Sequence, residues 1–179
     1  LELDHLTMLI KDGAKAIVRR RPLVSDRRKY RLGNLILRIQ DEEFIPGDLL
    51  LFHFFEKMVT LGWKRALVET LQRLRSFLVN NFSLADNHLP PHTFDVTLWN
   101  TIIYKNQLKV IDRKWEATKP LSVDFILFRN VFHIYERFHE YFPPMSQKDF
   151  CLKVLREIIP QYCEDAFRSD KQKEVDFLK

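Results

Sequence analysis

The chain has 179 residues, of which 46% are apolar and 15 are phenylalanine, so it is long and apolar enough to bury a substantial core. Its four glycines and eight prolines exclude a low-complexity or collagen-like chain. No apolar run reaches the roughly 18 residues that a transmembrane helix requires. The composition therefore predicts a folded domain without a membrane span.

The formal net charge of +5 arises from the first 40 residues. This segment has ten Lys and Arg residues against four Asp and Glu residues, whereas the rest of the chain is nearly neutral. Two clusters carry the excess, Arg19–Arg21 and Arg27–Lys29. They are compatible with a solvated face, with a site for phosphates or acidic glycans, or with nucleic acid. The lack of interleaved aromatic residues disfavours nucleic acid.

Two cysteines, Cys151 and Cys163, fall on one predicted helix. Twelve residues of helix span about 18 Å at 1.5 Å per residue, which is too far for a disulfide bond. Two free thiols are typical of a reducing compartment, so we expect a cytoplasmic protein. Because the chain begins with Leu1 rather than Met, we also expect it to be a piece of a longer protein.

The N-terminal residues predict antiparallel strands. Asp12-Gly13 lies between two apolar-rich runs, residues 6–11 and 14–20, which is typical of a tight β-hairpin. A third strand fits Asn34–Ile39, and Pro46-Gly47 then interrupts regular structure. We therefore predict a small antiparallel β part before this break.

After the break, apolar residues recur at helical spacing, as in Leu67, Leu71 and Leu74. The polar tail from Asp165 is expected to fray. The fold class is therefore predicted to be α+β, with a small β subdomain over residues 1–46 and a mainly helical part over residues 47–179. Helices are predicted over Leu49–Val59, residues 63–82, Val123–Phe142 and Gln147–Cys163.

A second β-hairpin is predicted between the helices. Its strands are Thr101–Tyr104 and Leu108–Ile111, which are rich in β-branched and apolar residues. Asp95 lies in the loop before this hairpin, Asn100 opens its first strand and Asp112 closes its second. Phosphoryl transfer from ATP needs such a set, because one carboxylate orients the acceptor hydroxyl while a carboxamide and a second carboxylate hold magnesium.

These residues resemble a known family. Phe94–Asn100 is similar to the catalytic loop of protein kinases, in which Asp and Asn lie five residues apart, and Val110–Asp112 is similar to their metal-binding Asp motif. The continuation Asp112–Glu116 looks more like that of aminoglycoside and sugar kinases. The stretch from Asp95 to Arg129 resembles the kinase-like modules attached to bacterial methyltransferases and glycosyltransferases of surface-polysaccharide synthesis.

The resemblance implies a kinase-like C-lobe with a catalytic-loop hairpin, and an N-lobe that is reduced or truncated over residues 1–46. It implies Asp95 as the catalytic base and Asn100 and Asp112 as magnesium ligands, with Lys15 or Arg19 contacting ATP. The implied activity is phosphorylation of a sugar or glycan hydroxyl by Mg-ATP in polysaccharide synthesis. The implied partner is an upstream methyltransferase or glycosyltransferase domain.

The sequence also departs from the family pattern. It has no Gly-rich phosphate loop, and Ala16–Arg19, the stretch nearest to Val-Ala-Ile-Lys, ends in arginine. Three functions therefore stay open. They are an active phosphotransferase, a degenerate kinase-like module that binds a glycan or a partner enzyme, and a basic module that binds nucleic acid through Arg19–Arg31.

Overall fold

The computed structural model describes residues 5–12, 15–22, 29–84 and 88–177. Gly13 of the first predicted turn and Arg27-Arg28 of the second basic cluster lie outside these ranges. In the helices that the structure describes, no segment reaches both the length and the mean hydropathy of a membrane-spanning helix.

The strands are β1 (His5–Asp12), β2 (Lys15–Pro22), β3 (Lys29–Leu32), β4 (Leu35–Arg38), β5 (Glu42–Glu43), β6 (Asp48–Leu49), β7 (His88–Leu89), β8 (Thr101–Tyr104), β9 (Gln107–Val110), β10 (Trp115–Ala117) and β11 (Leu121–Ser122). The α-helices are α1 (Leu50–Leu61), α2 (Trp63–Phe82), α3 (Val123–Phe138), α4 (Gln147–Leu155) and α5 (Glu164–Phe177).

The N-terminal strands form two small antiparallel sheets. β1 pairs with β2 along its whole length, as the sequence predicts, and β5 adds to the other edge of β2. The predicted third strand is β4. It forms a hairpin with β3, a strand that sequence reasoning missed. β10 pairs with the other edge of β4 and thereby brings the segment after Asp112 against the N-terminal strands.

The predicted second hairpin is confirmed as β8 and β9, and β6 pairs with the other edge of β8. Lys105 and Asn106 form its two-residue turn with φ angles of 49° and 63°. Two consecutive positive φ angles are the geometry that matches the twist of a tight hairpin. The strand order β6-β8-β9 leaves β9 at an edge of this sheet among the described strands.

The helices enclose the main core. Gly62, at φ 75°, separates α1 from α2, and its N–H donates to the carbonyl of Met58. Ser122 starts α3 by accepting a hydrogen bond from the N–H of Phe125 at 3.2 Å, as an N-cap does. The predicted leucine stripe of α2 is fully buried. These apolar faces pack into one cluster that also takes residues from α4, α5 and the β8–β9 hairpin.

The predicted ends of two helices need correction. α3 ends at Phe138 rather than Phe142, and a short 3-10 helix, His139–Tyr141, follows it. α4 ends at Leu155, so Cys163 lies beyond it rather than on the same helix as Cys151. Both cysteines are free, as expected, and Cys151 is buried whereas Cys163 is exposed.

The polar tail was predicted to fray, and this is wrong because it forms α5. Its inward residues are Phe167, Asp170 and Glu174, at helical spacing. The Phe167 ring meets the Phe128 ring of α3 with centroids 5.9 Å apart. Two of the three inward residues are acidic, so the helix contributes charge as well as apolar surface to the interior.

The molecule is a mixed α and β protein, which agrees with the predicted α+β class. The division at residue 46 stays a prediction. β10, from the later part, pairs with β4, from the earlier part, so the two parts share a sheet. That sheet places strand residues from the N-terminal part beside the loop that follows Asp112.

Candidate functional site

A cavity of about 340 Å³ lies where the loop before β8 meets the loop after β9. Asp95, Asn100 and Asp112, the three residues selected from their spacing, all line it. Lys15 and Arg19, the predicted contacts to ATP, are not among its lining residues. The remaining lining side chains are Thr97, Trp99, Lys114, Trp115, Arg129, His133, Arg137 and Glu174.

Asp95 ends a short 3-10 helix, Pro91–Asp95, and is almost completely buried. Its Oδ2 atom accepts hydrogen bonds from the backbone N–H groups of Lys114 and Trp115, at 2.8 and 3.0 Å. Burial raises the pKa of the Asp95 carboxyl, although these two hydrogen bonds oppose the shift. Among the described residues, no hydrogen bond involves Oδ1, which remains able to accept a proton.

Asn100 is fixed at the start of β8 by backbone and side-chain hydrogen bonds. Its Nδ2 donates to the carbonyl of Asp95 at 3.2 Å, and its own carbonyl accepts from the N–H of Ile111 at 2.8 Å. The first bond orients the carboxamide relative to Asp95. It uses the amide nitrogen and leaves the amide oxygen available to a ligand.

Asp112 has a left-handed backbone conformation, with φ 53°. A non-glycine residue rarely adopts this conformation without support, and such residues concentrate at functional sites. The support comes from Glu42, whose carboxylate accepts from the N–H of Asp112 at 2.8 Å and from the N–H of Arg113 at 3.1 Å. Strand β5 therefore holds the turn that presents the Asp112 carboxylate.

Two cations flank that carboxylate. Arg20 Nη2 lies 2.6 Å from Asp112 Oδ1, and Lys114 Nζ lies 3.2 Å from Oδ2. The Arg20 contact has the distance of an ion pair but not the alignment of a hydrogen bond. Within the described part of the chain, Oδ1 is accordingly buried without a hydrogen-bond donor.

Arg20, rather than Lys15 or Arg19, is the cation of β2 that contacts Asp112. Its Nη1 donates to the carbonyl of Gln40 at 3.1 Å, and its side chain is buried. Lys15 instead pairs with Glu43 at 3.6 Å, and Arg19 with Asp41 at 3.2 Å. Side chains alternate along a strand, so residues 15 and 19 of β2 share one face while residue 20 points to the other.

A second set of charged residues, Arg129, His133 and Glu174, also lines the cavity. Arg129 of α3 donates from Nη1 to the carbonyl of Phe94 and from Nε to Glu174 at 2.7 Å. His133 Nε2 lies 2.8 Å from the other oxygen of Glu174. Burial raises the pKa of Glu174, but the His133 hydrogen bond and the Arg129 charge outweigh it, and the net pKa lies below its usual value.

Asn130, next to Arg129 on α3, anchors the loop between Asp95 and Asn100. Its Oδ1 accepts from the N–H of Leu98 at 2.8 Å, and its Nδ2 donates to the carbonyl of Val96 at 3.2 Å. The side chain is completely buried. Sequence reasoning missed Asn130 and Glu174. The signal for the first was a polar pair, Arg129-Asn130, within an otherwise apolar helix.

The carboxylate and carboxamide oxygens that line the cavity match the ligands of a hard cation such as magnesium only in part. Carboxylate and carboxamide oxygens are the ligands that magnesium prefers, and it commonly takes one or two carboxylates with phosphates and waters. The described residues contain no cluster of three or more His, Cys, Asp or Glu side chains arranged to hold a metal ion. Asn100 and Asp112 therefore do not form a metal site by themselves among the described residues.

Comparison of the chain with protein-family models, curated proteins and solved structures finds no match.

Proposed function

We propose that this chain is a kinase-like phosphotransferase module that transfers a phosphoryl group from Mg-ATP to a hydroxyl of a sugar or glycan. The observation that supports this most is that Asp95, Asn100 and Asp112, selected from spacing alone, line one cavity. Asp112 also has a conformation that is costly for a side-chain-bearing residue and is held by Glu42. Such support for an unfavourable backbone geometry is typical of functional groups.

In the proposed reaction, Asp95 orients the acceptor hydroxyl and takes its proton. The two backbone hydrogen bonds fix Oδ2, so Oδ1 is the oxygen that receives the proton. A pKa raised by burial makes this carboxylate a stronger base than an exposed aspartate. The acceptor oxygen then bonds to the γ-phosphorus, and the bond from that phosphorus to the β,γ-bridging oxygen breaks, releasing ADP.

Asn100 and Asp112 hold the phosphate side of the site. Their side-chain oxygens would bind magnesium, which when present neutralises the phosphate charge. Lys114 lines the cavity beside the Asp112 carboxylate and is placed to attract phosphate oxygens. In this proposal Lys114 takes the role that the sequence predicted for Lys15 or Arg19, while Arg20 is buried and holds Asp112 in place.

The acceptor side is lined by Trp99, His133 and Arg137. The Arg137 guanidinium lies 4.5 Å from the centre of the Trp99 ring, so an aromatic surface stands beside hydrogen-bond donors. A sugar offers an apolar ring face together with hydroxyl groups, which matches such a wall. From the resemblance, we further propose a role in polysaccharide synthesis in the cytoplasm, beside an upstream methyltransferase or glycosyltransferase domain.

The test is phosphorylation of a panel of sugars and oligosaccharides with Mg-ATP, followed by mass spectrometry. Asp95→Asn keeps the shape of the side chain but removes the base, so we expect the rate to fall by about 10²–10⁴-fold. Asp165→Asn, on the exposed face of α5, is the matched control and should retain the rate. A phosphorylation rate that survives Asp95→Asn would contradict the role of Asp95.

A second candidate is a kinase-like module that binds a glycan or a partner enzyme without catalysis. It is favoured by the Asp112 carboxylate, which two protein cations already neutralise, and by the lack of a Gly-rich loop in the sequence. This module would bind an oligosaccharide in a glycan array, while Mg-ATP would leave its melting temperature unchanged. The nucleic-acid alternative loses support, because Arg19 and Arg20 are engaged with Asp41, Glu42 and Asp112.

A further inference from the structure

A second concave surface, here called the β9 groove, shares no lining residue with the cavity at Asp95. It has a volume of about 690 Å³ and runs between α2 and β9. All four residues of β9 line it, and α2 supplies the opposite wall. The volume lies within the range of pockets that hold ligands. The wall residues outside β9 are Ile45, Arg73, Phe77, Asn81, Phe82 and Arg113.

The charge of the β9 groove has one sign. Arg73, Lys109 and Arg113 line it, and no carboxylate is among its lining residues. None of the ion pairs within the described ranges involves these three side chains, although Arg73 donates to the carbonyl of Asn106 at 3.1 Å. Like charges gathered in a concave surface attract a ligand of the opposite sign.

The three cations come from three separate segments of the groove wall. Arg73 lies on α2, Lys109 lies on β9, and Arg113 follows β9 in the turn at Asp112. A ligand that carries several acidic groups matches cations supplied by separate segments.

The backbone of β9 offers free hydrogen-bonding groups to the same groove. Antiparallel pairs alternate between hydrogen-bonded and non-hydrogen-bonded positions. Ile111 donates to the carbonyl of Asn100, so Leu108 and Val110 occupy the non-hydrogen-bonded positions opposite β8. Their N–H and C=O groups therefore point away from β8, and no described strand pairs with that edge.

We propose that the β9 groove binds an acidic peptide segment of a partner protein, which adds to β9 as an extended strand. Backbone groups of the segment pair with Leu108 and Val110, and its carboxylates pair with Lys109 and Arg113. Addition of a strand to a free sheet edge is a known mode of peptide recognition, in which main-chain bonds supply affinity and side-chain contacts supply specificity.

The wall of the groove favours a peptide over a nucleic acid. Phe77 and Phe82 pack edge to face at 5.5 Å and are half-buried, so both rings contribute apolar surface that is only partly exposed. Ile45 and Val110 add aliphatic surface, which suits apolar side chains that alternate with acidic ones. This proposal does not depend on catalysis in the cavity at Asp95.

Fluorescence anisotropy of the full 179-residue chain tests the proposal with a fluorescein-labelled octapeptide of alternating Glu and Val. We expect saturable binding with a Kd on the order of 10–100 μM. The same peptide with Lys in place of Glu should not bind. A peptide methylated at every second backbone nitrogen cannot form the ladder, so its affinity should fall by at least about tenfold.

Variants of the chain test whether the peptide binds in the β9 groove. Lys109→Glu and Arg113→Glu should each weaken binding by at least about tenfold, since they place like charges together. Lys119→Glu is the matched control, because Lys119 is an exposed lysine outside the groove, and it should retain the affinity. Circular dichroism melting curves confirm that each variant is folded.

Hydrogen exchange measured by NMR tests the backbone pairing. The amides of Leu108 and Val110 should exchange at least about tenfold more slowly when the peptide is bound. The amide of Ile111, already bonded to Asn100, is the internal reference and should change little. Lack of saturable binding up to about 1 mM, equal binding of the methylated peptide, or preference for an oligonucleotide of equal charge would each overturn the proposal.

Discussion

The cavity at Asp95 and the β9 groove are both concave and charged, but their charges are arranged in opposite ways. In the cavity, Glu174 pairs with Arg129, and Asp112 lies between Arg20 and Lys114. In the groove, the lining cations face no carboxylate. A buried charge must be paired, because the desolvation of an unpaired one costs several kcal/mol. An exposed cation has no such requirement.

This difference distinguishes charged groups that stabilise the fold from charged groups that remain able to bind a ligand. Glu174, Arg129 and Asp112 of the cavity are each paired with another charged group, so a change there should alter stability together with chemistry. Lys109 and Arg113 of the groove are exposed and form no ion pair within the described ranges, so a change there should alter binding alone. The predictions below test this contrast in order of expected effect on the free energy of unfolding.

Glu174→Gln should have the largest effect. The substitution leaves Arg129, which is only 8% exposed, without its carboxylate partner. Removing one partner of a buried ion pair lowers the free energy of unfolding by about 3–5 kcal/mol. Urea denaturation measures this loss. Asp165→Asn, on the exposed face of the same helix, should change the free energy by less than about 0.5 kcal/mol. Equal effects of the two variants would contradict the contrast.

The same ion pair predicts a pH dependence. The pKa of Glu174 in the folded chain lies below the value of 4.5 that it has without folding. Its contribution to stability is therefore fully present above pH 4.5 and is lost as the pH falls through the folded-state pKa. The difference between wild type and Glu174→Gln should shrink as urea denaturation is repeated below pH 4.5. A difference that stays constant would show that packing, not charge, stabilises this contact.

Asn130→Ala should have the next largest effect. It removes the partners of the Leu98 N–H and the Val96 carbonyl inside a completely buried site. Buried groups left without partners cost about 2–3 kcal/mol in total, measured by urea denaturation. Asn81→Ala is a matched control, since Asn81 donates to the carbonyl four residues earlier in its helix, as Asn130 does, but is exposed. A loss in the control as large as that in Asn130→Ala would contradict the anchoring role.

Lys109→Glu should have the smallest effect on stability. Lys109 is exposed and lies beside Arg73 and Arg113, so reversing its charge relieves repulsion and should change the free energy of unfolding by less than about 0.5 kcal/mol. Thermal and urea unfolding both report this value. A loss above about 1.5 kcal/mol would break the comparison, because it would show that the groove cations also support the fold.

The elements predicted well from sequence are those whose pattern is local. α2 and the β8–β9 hairpin have periodic apolar residues or a tight turn within a few residues. α5 was missed because two of its three inward residues are acidic, so it has no apolar stripe to detect. β10 was missed because it has only three residues, and its partner β4 lies far away in the chain.

The candidate site divides in the same way. Asp95, Asn100 and Asp112 could be selected because their spacing lies within one loop and hairpin. The cation at Asp112 could not be predicted from the sequence, because the choice between Arg19 and Arg20 depends on which face of β2 meets the turn at Asp112. Glu174 could not be predicted either, because it contacts Arg129 only through the packing of α5 against α3.

The most direct test of the proposed function is calorimetric titration of the chain with ATP, with and without magnesium, for wild type and Asp112→Asn. We predict saturable binding that requires magnesium and that weakens by at least about tenfold in the variant, because a carboxylate that holds the metal is lost. Binding that ignores magnesium and survives Asp112→Asn, or no binding at all, would contradict the phosphotransferase proposal.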